Sequence, residues 1–221
     1  MTSRISKSLP QPNSYPLVIF DMDGTLVDSF GLFIELMNTF ANKYGYEQLH
    51  TAHIETLRAL PPKQIRQALG LSFFSSLRLM YDCKKAMQKR HTTPALFDHV
   101  LDLLAELKAQ GVMLAIVTSN NKVNCRRYLG EAYAYFDWLE CNASIYGKAR
   151  QMKKIIRRSG CQLNQVIYVG DQIIDVQSAH QNNIHSAAVT WGYNNEKALT
   201  SQQPHFLVHT MDELREILIT Q

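Results

Sequence analysis

The second half of the chain alternates short apolar runs with longer segments in which apolar residues recur every three or four positions. This alternation predicts β-strands separated by amphipathic helices. Strands joined by helices form a parallel sheet with helices packed on both of its faces. The predicted strands lie within the runs VMLAIV, QVIYV and HSAAVT, with weaker ones at DWLEC and HFLV. We therefore predict an α/β fold in which a mainly parallel sheet lies between two layers of helices.

An earlier apolar run, Leu17–Phe20, continues directly into two carboxylates, Asp21 and Asp23. Four consecutive apolar residues are typical of a strand that is buried on both faces, as in a parallel sheet. Ligands of such sheets bind beyond the carboxyl ends of the strands. Two acids at that place would repel each other unless a cation or a shared proton held them. The alternative is a plain turn or a structural cation site, because Asp and Gly commonly follow apolar runs.

The region between residues 30 and 91 has helical periodicity and no strand pattern. A helix that begins at Phe30 is predicted to end at Gly45. Two more helices are predicted within PKQIRQALG and SFFSSLRLMYDCKKAMQKR. The dipeptide Pro61-Pro62 breaks the helical pattern of the region. The predicted organisation is therefore a loose N-terminal tail at 1–15, an α/β core at 16–29 and 92–221, and an all-helical insertion at 30–91.

The composition indicates a folded chain and does not favour a nucleic-acid partner. Hydrophobic residues make up 46% of the 221 residues and charged residues 19%, which suits one domain with a smaller insertion. The net charge of +4 is only mildly basic. The two basic stretches begin at Lys84 and at Gly147, and their apolar residues have helical spacing. We interpret both stretches as solvated faces of helices.

The cysteines and the apolar segments bear on the compartment. Cysteines at 83, 125, 141 and 161 show neither a C-x-x-C pair nor the spacing of a zinc site, so we expect free thiols in a reducing environment. The N-terminal residues are polar, contain three prolines and lack the apolar segment of a secretory signal. No run approaches the roughly 18 apolar residues that a membrane span needs. We expect a soluble cytoplasmic protein.

Polar residues also follow the later strands. Thr118, Ser119 and Asn120 come after the run LAIV, where a hydroxyl and free backbone amides before a helix suit an anion. The same residue types are preferred helix N-caps, so a plain cap is the alternative. Lys148 begins a later helix, and an ordinary surface lysine is the alternative there.

Asp171 follows the run VIYV, and Asp175 lies four residues further on. An acid at this strand end could complete a metal site with Asp21 and Asp23. Hard cations such as Mg²⁺ bind carboxylate and carbonyl oxygens and keep some of their waters. The strand ends together predict a cation site, an anion site and a positive side chain at one edge of the sheet.

In chain order, a strand with DMDGT, a strand with Thr118, then Lys148 and a strand with GDQIID resemble the four motifs of the haloacid dehalogenase superfamily of phosphohydrolases. The resemblance covers the chain from about Leu17 to Ile219 and implies a Rossmann-like three-layer core. The helical insertion is similar to the C1 cap of that superfamily. The branch that includes phosphoglycolate phosphatases is the most similar, on the segments FDMDGTLVDS, IVTSN, YGKAR, IYVGDQIID and VTWGYN.

The resemblance implies a Mg²⁺-dependent phosphatase. Asp21 would attack phosphorus and form an aspartyl-phosphate. Asp23 would protonate the leaving oxygen and then take a proton from the attacking water. The metal would lie between Asp21, the backbone carbonyl of Asp23 and the carboxylate of Asp171. Asp175 would orient this loop from behind the ligands, and Thr25 could steady Asp23.

The resemblance also implies the groups that hold the phosphoryl oxygens. Thr118 would bind them together with the backbone amides of Ser119 and Asn120. Lys148 would neutralise both the phosphate and Asp21. These assignments explain how two adjacent acids can coexist, because one stays ionised beside a cation while the other can hold a proton.

The sequence leaves the substrate open beyond a small phosphorylated metabolite, and it does not indicate an oligomeric state. In the insertion, RALPPKQIRQALG replaces the Gly-x-Pro-like stretch expected for the branch. Arg58, Lys63 and Arg66 are candidate contacts for the non-reacting end of the substrate, and surface charges on a polar helix face are the alternative. Alternative functions are a sugar phosphomutase of the same superfamily and a catalytically silent phosphate-binding regulatory protein.

Overall fold

The computed structural model describes residues 15–90, 93–144 and 147–219. The predicted tail at 1–15 lies outside these ranges apart from Tyr15, which is buried. A six-stranded sheet forms the centre, with strand order β3-β2-β1-β4-β5-β6 and parallel pairing throughout. Its strands are β1 (Leu17–Phe20), β2 (Met113–Val117), β3 (Trp138–Glu140), β4 (Val166–Gly170), β5 (His185–Val189) and β6 (Phe206–Val208).

Ten α-helices accompany the sheet in the described part of the chain. None of them combines the length and the apolar character that crossing a membrane requires. They are α1 (Phe30–Tyr44), α2 (Thr51–Arg58), α3 (Pro62–Ala68), α4 (Phe73–Lys89), α5 (Val100–Ala109), α6 (Lys122–Leu129), α7 (Lys148–Ser159), α8 (Ile173–Gln181), α9 (Glu196–Thr200) and α10 (Met211–Ile219).

The two faces of the sheet are covered by different helices. Successive side chains of a strand point to opposite faces. Val18 and Phe20 accordingly belong to one buried cluster, which includes residues of α5, α6 and α10 and of the helical insertion. Leu17 and Ile19 belong to another, which includes residues of α7 and α8. The predicted Rossmann-like three-layer α/β architecture is confirmed.

The insertion after β1 contains helices α1 to α4. The helix predicted from Phe30 to Gly45 is α1, and Gly45 ends it in the left-handed conformation with its amide bonded to the carbonyl of Ala41. In α4, Leu79, Cys83 and Met87 form a buried stripe at a spacing of four residues. These side chains join the cluster on the α5 face of the sheet. The boundaries of tail, core and insertion stay a prediction.

The elements differ from the sequence prediction in three places. The segment after Asn121 is a short helix, α6, followed by a 3₁₀ helix at Gly130–Tyr135 rather than one continuous helix. The helical pattern of the insertion does not identify α2 as a separate helix, although the structure contains it. Helix α9 was missed because five residues are too few to show a helical period, although Asn195 caps it by accepting from the amide of Ala198.

The sheet order places β1 at a topological switch point. From β1 the chain continues to β2 on one side, and it later returns to β4 on the other side. Phe20 is level with Ile116 of β2 and Val169 of β4, so the residues that follow these three strands meet at one edge. Ligands of open parallel sheets bind at this position.

Candidate active site

A buried lysine joins two of the predicted acids. Asp21 follows β1, and its amide bonds the carbonyl of Val169 in the neighbouring strand. Lys148, the first residue of α7, places its Nζ 2.7 Å from Oδ2 of Asp21 and 2.6 Å from Oδ1 of Asp175. Only 5% of the Lys148 side chain is exposed. The alternative of an ordinary surface lysine therefore does not describe this residue.

The protonation of this cluster follows from burial and charge. Burial raises the pKa of Asp21 to about 7, with Asp175 and Asp23 acting in the same direction and Lys148 opposing them. Burial alone lowers the pKa of Lys148, but the attraction of Asp175 and Asp21 more than offsets it and raises the pKa overall. The ammonium therefore stays charged between the two carboxylates.

Asp171 completes a group of three acids that could hold a metal ion. Carboxylate oxygens of Asp21, Asp171 and Asp175 lie within 4.8 Å of one another, and all three residues are buried. Burial raises the pKa of Asp171 well above its usual range, and the charges of Asp21 and Asp175 raise it further. An oxygen-only donor set with excess negative charge fits a hard divalent cation.

Two hydrogen bonds fix the Asp171 carboxylate. The hydroxyl of Thr25 donates to Oδ1 at 2.9 Å, and the backbone amide of Tyr193 donates to Oδ2 at 2.7 Å. Thr25 was expected to steady Asp23, and the structure corrects this because its hydroxyl reaches the acid across the sheet edge instead. Asp175 was expected to orient this loop from behind the ligands, and its Oδ2 accepts from the amide of Gln172 in the loop at 3.0 Å. Its Oδ1 in addition accepts from Lys148 at 2.6 Å.

Asp23 has a different environment from Asp21. The side-chain amide of Asn120 donates to Asp23 Oδ2 at 2.9 Å. The other oxygen, Oδ1, is buried, and no described residue donates a hydrogen bond to it. Burial raises the pKa of Asp23, and the Asn120 amide and the nearby Ser29 hydroxyl offset the rise only in part. The raised pKa of Asp23 and its unpartnered Oδ1 suit a carboxyl group that can hold a proton, and its hydrogen-bond partner is Asn120 rather than Lys148.

The segment Thr118 to Asn120 lies beside these acids but differs in detail from the expectation. The amide of Asn120, expected to face the phosphoryl group, donates to Oγ1 of Thr118 at 3.0 Å. The helix cap is Asn121, whose side chain accepts from the amide of Asn124. The alternative that Thr118, Ser119 or Asn120 serves as the cap of α6 is therefore not what the structure shows.

Lys84 of the insertion reaches this segment and was missed from the sequence. Its Nζ donates to the carbonyl of Ser119 at 2.8 Å. Burial lowers the pKa of Lys84, although the charge of Asp23 opposes this. The sequence contains one signal for this contact, because Lys84 directly follows Cys83, which belongs to the buried stripe of α4. The basic residues around Lys84 instead favoured a solvated helix face.

Arg58 is the one of the three candidate insertion residues that contacts the core loop beside Asp171. Its Nη2 donates to the carbonyl of Gly192 at 2.8 Å and its Nε to that of Tyr193 at 3.2 Å. Arg66 instead donates to the carbonyl of Leu71 inside the insertion at 3.0 Å, and Lys63 is exposed. The structure therefore brings Arg58 to the site and leaves the other two away from the acid cluster.

Two glycines let the backbone approach Asp171 closely. Gly24 has a φ of +80°, which favours glycine, and a Cβ there would collide with the Asp171 carboxylate and the Tyr193 ring. A Cβ on Gly192 would collide with Asp171 and with the carbonyl of Gly24. The indole of Trp191 donates to the carbonyl of Thr25 at 3.2 Å. The loop from Trp191 to Asn195 is thus part of the site, and it contains the segment VTWGYN on which the resemblance to the family partly rests.

The family model of haloacid dehalogenase-like hydrolases matches residues 18–189, which include β1, the insertion and the ends of β2, β4 and β5. The chain belongs to this family. A phosphoglycolate phosphatase of Synechococcus elongatus is 32% identical over 206 residues, which cover 89% of this chain and 94% of that protein. This identity confirms the resemblance to phosphoglycolate phosphatases.

Other proteins that are similar to the chain have different names. The tyrosine-protein kinase PtkA of Mycobacterium tuberculosis is 28% identical over 210 residues, covering 91% of this chain and 72% of that protein. A haloacid dehalogenase-like family protein of Streptococcus pneumoniae superimposes with a TM-score of 0.74 at 24% identity, covering 91% of this chain and 97% of that chain. The likeness to this structure concerns the fold alone.

Proposed function

We propose that the chain hydrolyses small-molecule phosphate monoesters through an aspartyl-phosphate on Asp21. The observation that carries the proposal is the buried ammonium of Lys148 between Asp21 and Asp175, beside Asp171. One fixed positive charge among several buried acids suits a site that receives a phosphate dianion together with a divalent cation. A site for an uncharged ligand would have no use for this arrangement.

Asp21 is the proposed nucleophile. Lys148 favours its ionised form despite the burial that raises its pKa to about 7. An oxygen of Asp21 attacks phosphorus, the ester P–O bond breaks, and the phosphoryl group is transferred to the carboxylate. Thr118 and the Ser119 amide hold phosphoryl oxygens, with the Asn120 amide joining them only if its bond to Thr118 opens.

Asp23 is the proposed general acid and base. Its raised pKa and the unpartnered Oδ1 favour a proton on this residue, which passes to the leaving oxygen in the first step. The ionised Asp23 then takes a proton from the water that hydrolyses the phosphoenzyme. The bond from Asn120 orients Asp23 in both steps.

Mg²⁺ is the proposed cofactor, held by the carboxylates of Asp21 and Asp171 and by the backbone carbonyl of Asp23. When bound, it supplies positive charge that offsets the negative charge of the phosphoryl group. Asp175 lies within the same acid group, but its oxygens already accept from Lys148, Tyr168 and Gln172, so we assign it to orienting Lys148 and the loop that contains Asp171.

The proposed substrate is a small phosphorylated metabolite, and phosphoglycolate is one candidate because of the Synechococcus relative. Helices of the insertion contact the core through Lys84 and Arg58, which suits a lid over a small substrate. We further propose a cytoplasmic location, consistent with four free cysteines, and no nucleic-acid partner.

Release of inorganic phosphate from an aryl phosphate and from a panel of phosphorylated acids, sugars and nucleotides tests the proposal. Activity should require Mg²⁺, disappear with a chelator and be absent in Asp21→Asn. A positional isomer of a sugar phosphate, instead of free phosphate, would establish the phosphomutase alternative. Phosphate binding without turnover on any substrate would overturn the enzymatic assignment in favour of a binding protein.

A further inference from the structure

Two cysteines lie side by side next to the Thr118–Asn120 segment. Sγ of Cys125 in α6 is 3.6 Å from Sγ of Cys141, the residue that follows β3. Both are free thiols, and Cys125 is fully buried whereas Cys141 is partly exposed. A disulfide bond requires an S–S distance of about 2 Å, so a movement of about 1.5 Å would connect them.

The two thiols differ in reactivity. The hydrogen bond from Cys125 lowers the pKa of Cys141, and the charge of Lys122 lowers it further against the effect of burial. The same contact, together with burial, raises the pKa of Cys125. Thiolates are the nucleophiles in thiol oxidation. The exposed Cys141 is therefore the sulfur that meets an oxidant first, and Cys125 is the buried partner within reach of the product.

Each cysteine has a neighbour in the chain that donates a hydrogen bond to the Thr118–Asn120 segment. Asn142 donates its amide to the carbonyl of Asn120 at 2.7 Å, and the amide of Ala143 donates to the carbonyl of Thr118 at 2.9 Å. On the other side, the side chain of Asn124 donates to Oδ1 of Asn120 at 2.7 Å. Asn120 in turn orients Asp23. A movement of either cysteine is therefore transmitted to these bonds.

We propose that Cys125 and Cys141 form a reversible disulfide, which displaces the Thr118–Asn120 segment and lowers activity. With a hydroperoxide as oxidant, the Cys141 thiolate attacks the peroxide oxygen and becomes a sulfenic acid while hydroxide leaves. The Cys125 sulfur then attacks the sulfenic sulfur and water leaves. Two thiols lose two electrons and two protons, and hydrogen peroxide is reduced to two waters. A dithiol reductant reverses the bond.

The bond itself is tested without reference to activity. Purified protein is treated with hydrogen peroxide, free thiols are alkylated, and the peptides are mapped by mass spectrometry. We expect a linked Cys125–Cys141 pair with a loss of about 2 Da, which dithiothreitol reverses. Cys161→Ser is the matched control, since Cys161 is also partly exposed but packs in the other cluster, and it should still form the bond. Sulfinic acid on Cys141 without the link, or pairing with Cys83 or Cys161, would overturn the proposal.

The effect on the segment is tested in two ways. Hydrogen–deuterium exchange should become faster in peptides that cover Thr118 to Asn124 after oxidation, and it should not change in Cys141→Ser. The effect on turnover rests on the proposed function: oxidation should lower kcat/KM for an aryl phosphate at least about tenfold, since small displacements of reacting groups are costly. Cys141→Ser and Cys125→Ala should resist this loss. If the disulfide forms but hydrogen–deuterium exchange does not change, the proposed effect of the disulfide on the Thr118–Asn120 segment is refuted. If the disulfide forms and exchange becomes faster, but the reduced protein shows no turnover, the result counts against the proposed phosphatase function instead.

Discussion

Replacing Lys148 by Met removes the positive charge that two buried carboxylates share and keeps most of the length of the side chain. The Nζ of Lys148 lies 2.7 Å from Asp21 and 2.6 Å from Asp175, and only 5% of the Lys148 side chain is exposed. Water therefore cannot replace these two contacts when the ammonium is removed. Removing one partner of a buried ion pair costs about 3–5 kcal/mol, and two orphaned partners place Lys148→Met at the upper end. Since a chain of this size loses about 2–4 °C of Tm per kcal/mol, the metal-free variant should melt roughly 10–20 °C lower.

The loss in Lys148→Met should depend on pH with a defined sign. Lys148 lowers the pKa of Asp21, so the folded-state pKa, already raised to about 7, should rise further in the variant. A carboxyl group with a raised folded-state pKa destabilises the fold as the pH increases from its unfolded value, about 4, through the folded value. Both proteins share this loss up to about pH 7, where Asp21 of the unsubstituted protein ionises. The deficit of the variant should therefore be present at pH 5 and grow above about pH 7, by at most about 1.4 kcal/mol per pH unit.

The assay is urea denaturation in the presence of a chelator at several pH values. Lys154→Met is the matched control on the same helix, because Lys154 contacts Glu140 at 2.7 Å with half of its side chain exposed, and such surface pairs contribute about 0–1 kcal/mol. Adding Asp175→Asn to Lys148→Met should recover part of the loss, as one buried charge disappears. A deficit below about 1 kcal/mol at pH 8, equal to that of Lys154→Met, would refute the electrostatic account of the site.

Three further predictions concern the proposed chemistry. Asp23→Ala should lose about 10²–10⁴ in kcat on alkyl phosphates. With an aryl phosphate, rapid-quench experiments should show a burst of phenol followed by a stalled phosphoenzyme. Equal losses on both substrates without trapped phosphoenzyme would disprove the acid–base role of Asp23. Lys84→Met should raise KM about tenfold with little change in kcat, because it removes a charged hydrogen bond between insertion and core; steady-state kinetics would show an unchanged KM if that bond does not matter. Arg58→Lys should weaken Mg²⁺ activation several-fold by loosening the Gly192–Tyr193 carbonyls, whereas Arg66→Lys should leave the Mg²⁺ titration unchanged.

The sequence could predict the features that depend on strand ends. The apolar runs identified the strands, and the order of Asp21, Thr118, Lys148 and Asp171 along the chain predicted one shared edge, which the parallel register brings about. Periodicity also predicted α1, together with its end at Gly45. These features follow from local patterns, so a single sequence is sufficient to recognise them.

The features that the sequence could not predict depend on contacts between distant segments. Thr25 contacts Asp171 rather than Asp23 because the loop with Gly24 lies against the end of β4. Lys84 is distinguished from the other lysines of α4 only by the rotation of that helix toward Ser119. The pairing of Cys125 with Cys141 similarly requires the packing of α6 against the end of β3, for which the cysteine spacing gives no signal.

The central position of β1 also determines how the protein must fold. Leu17 pairs with Met113 and with Val166, which lie about 100 and 150 residues further along the chain. Closing loops of that length costs entropy before any of the pairings can stabilise the chain, so high contact order predicts slow folding. Asp21 and Asp171 come together only when β4 joins β1. The buried acid cluster therefore forms only when β1, β4 and the Lys148 helix have come together from distant parts of the chain.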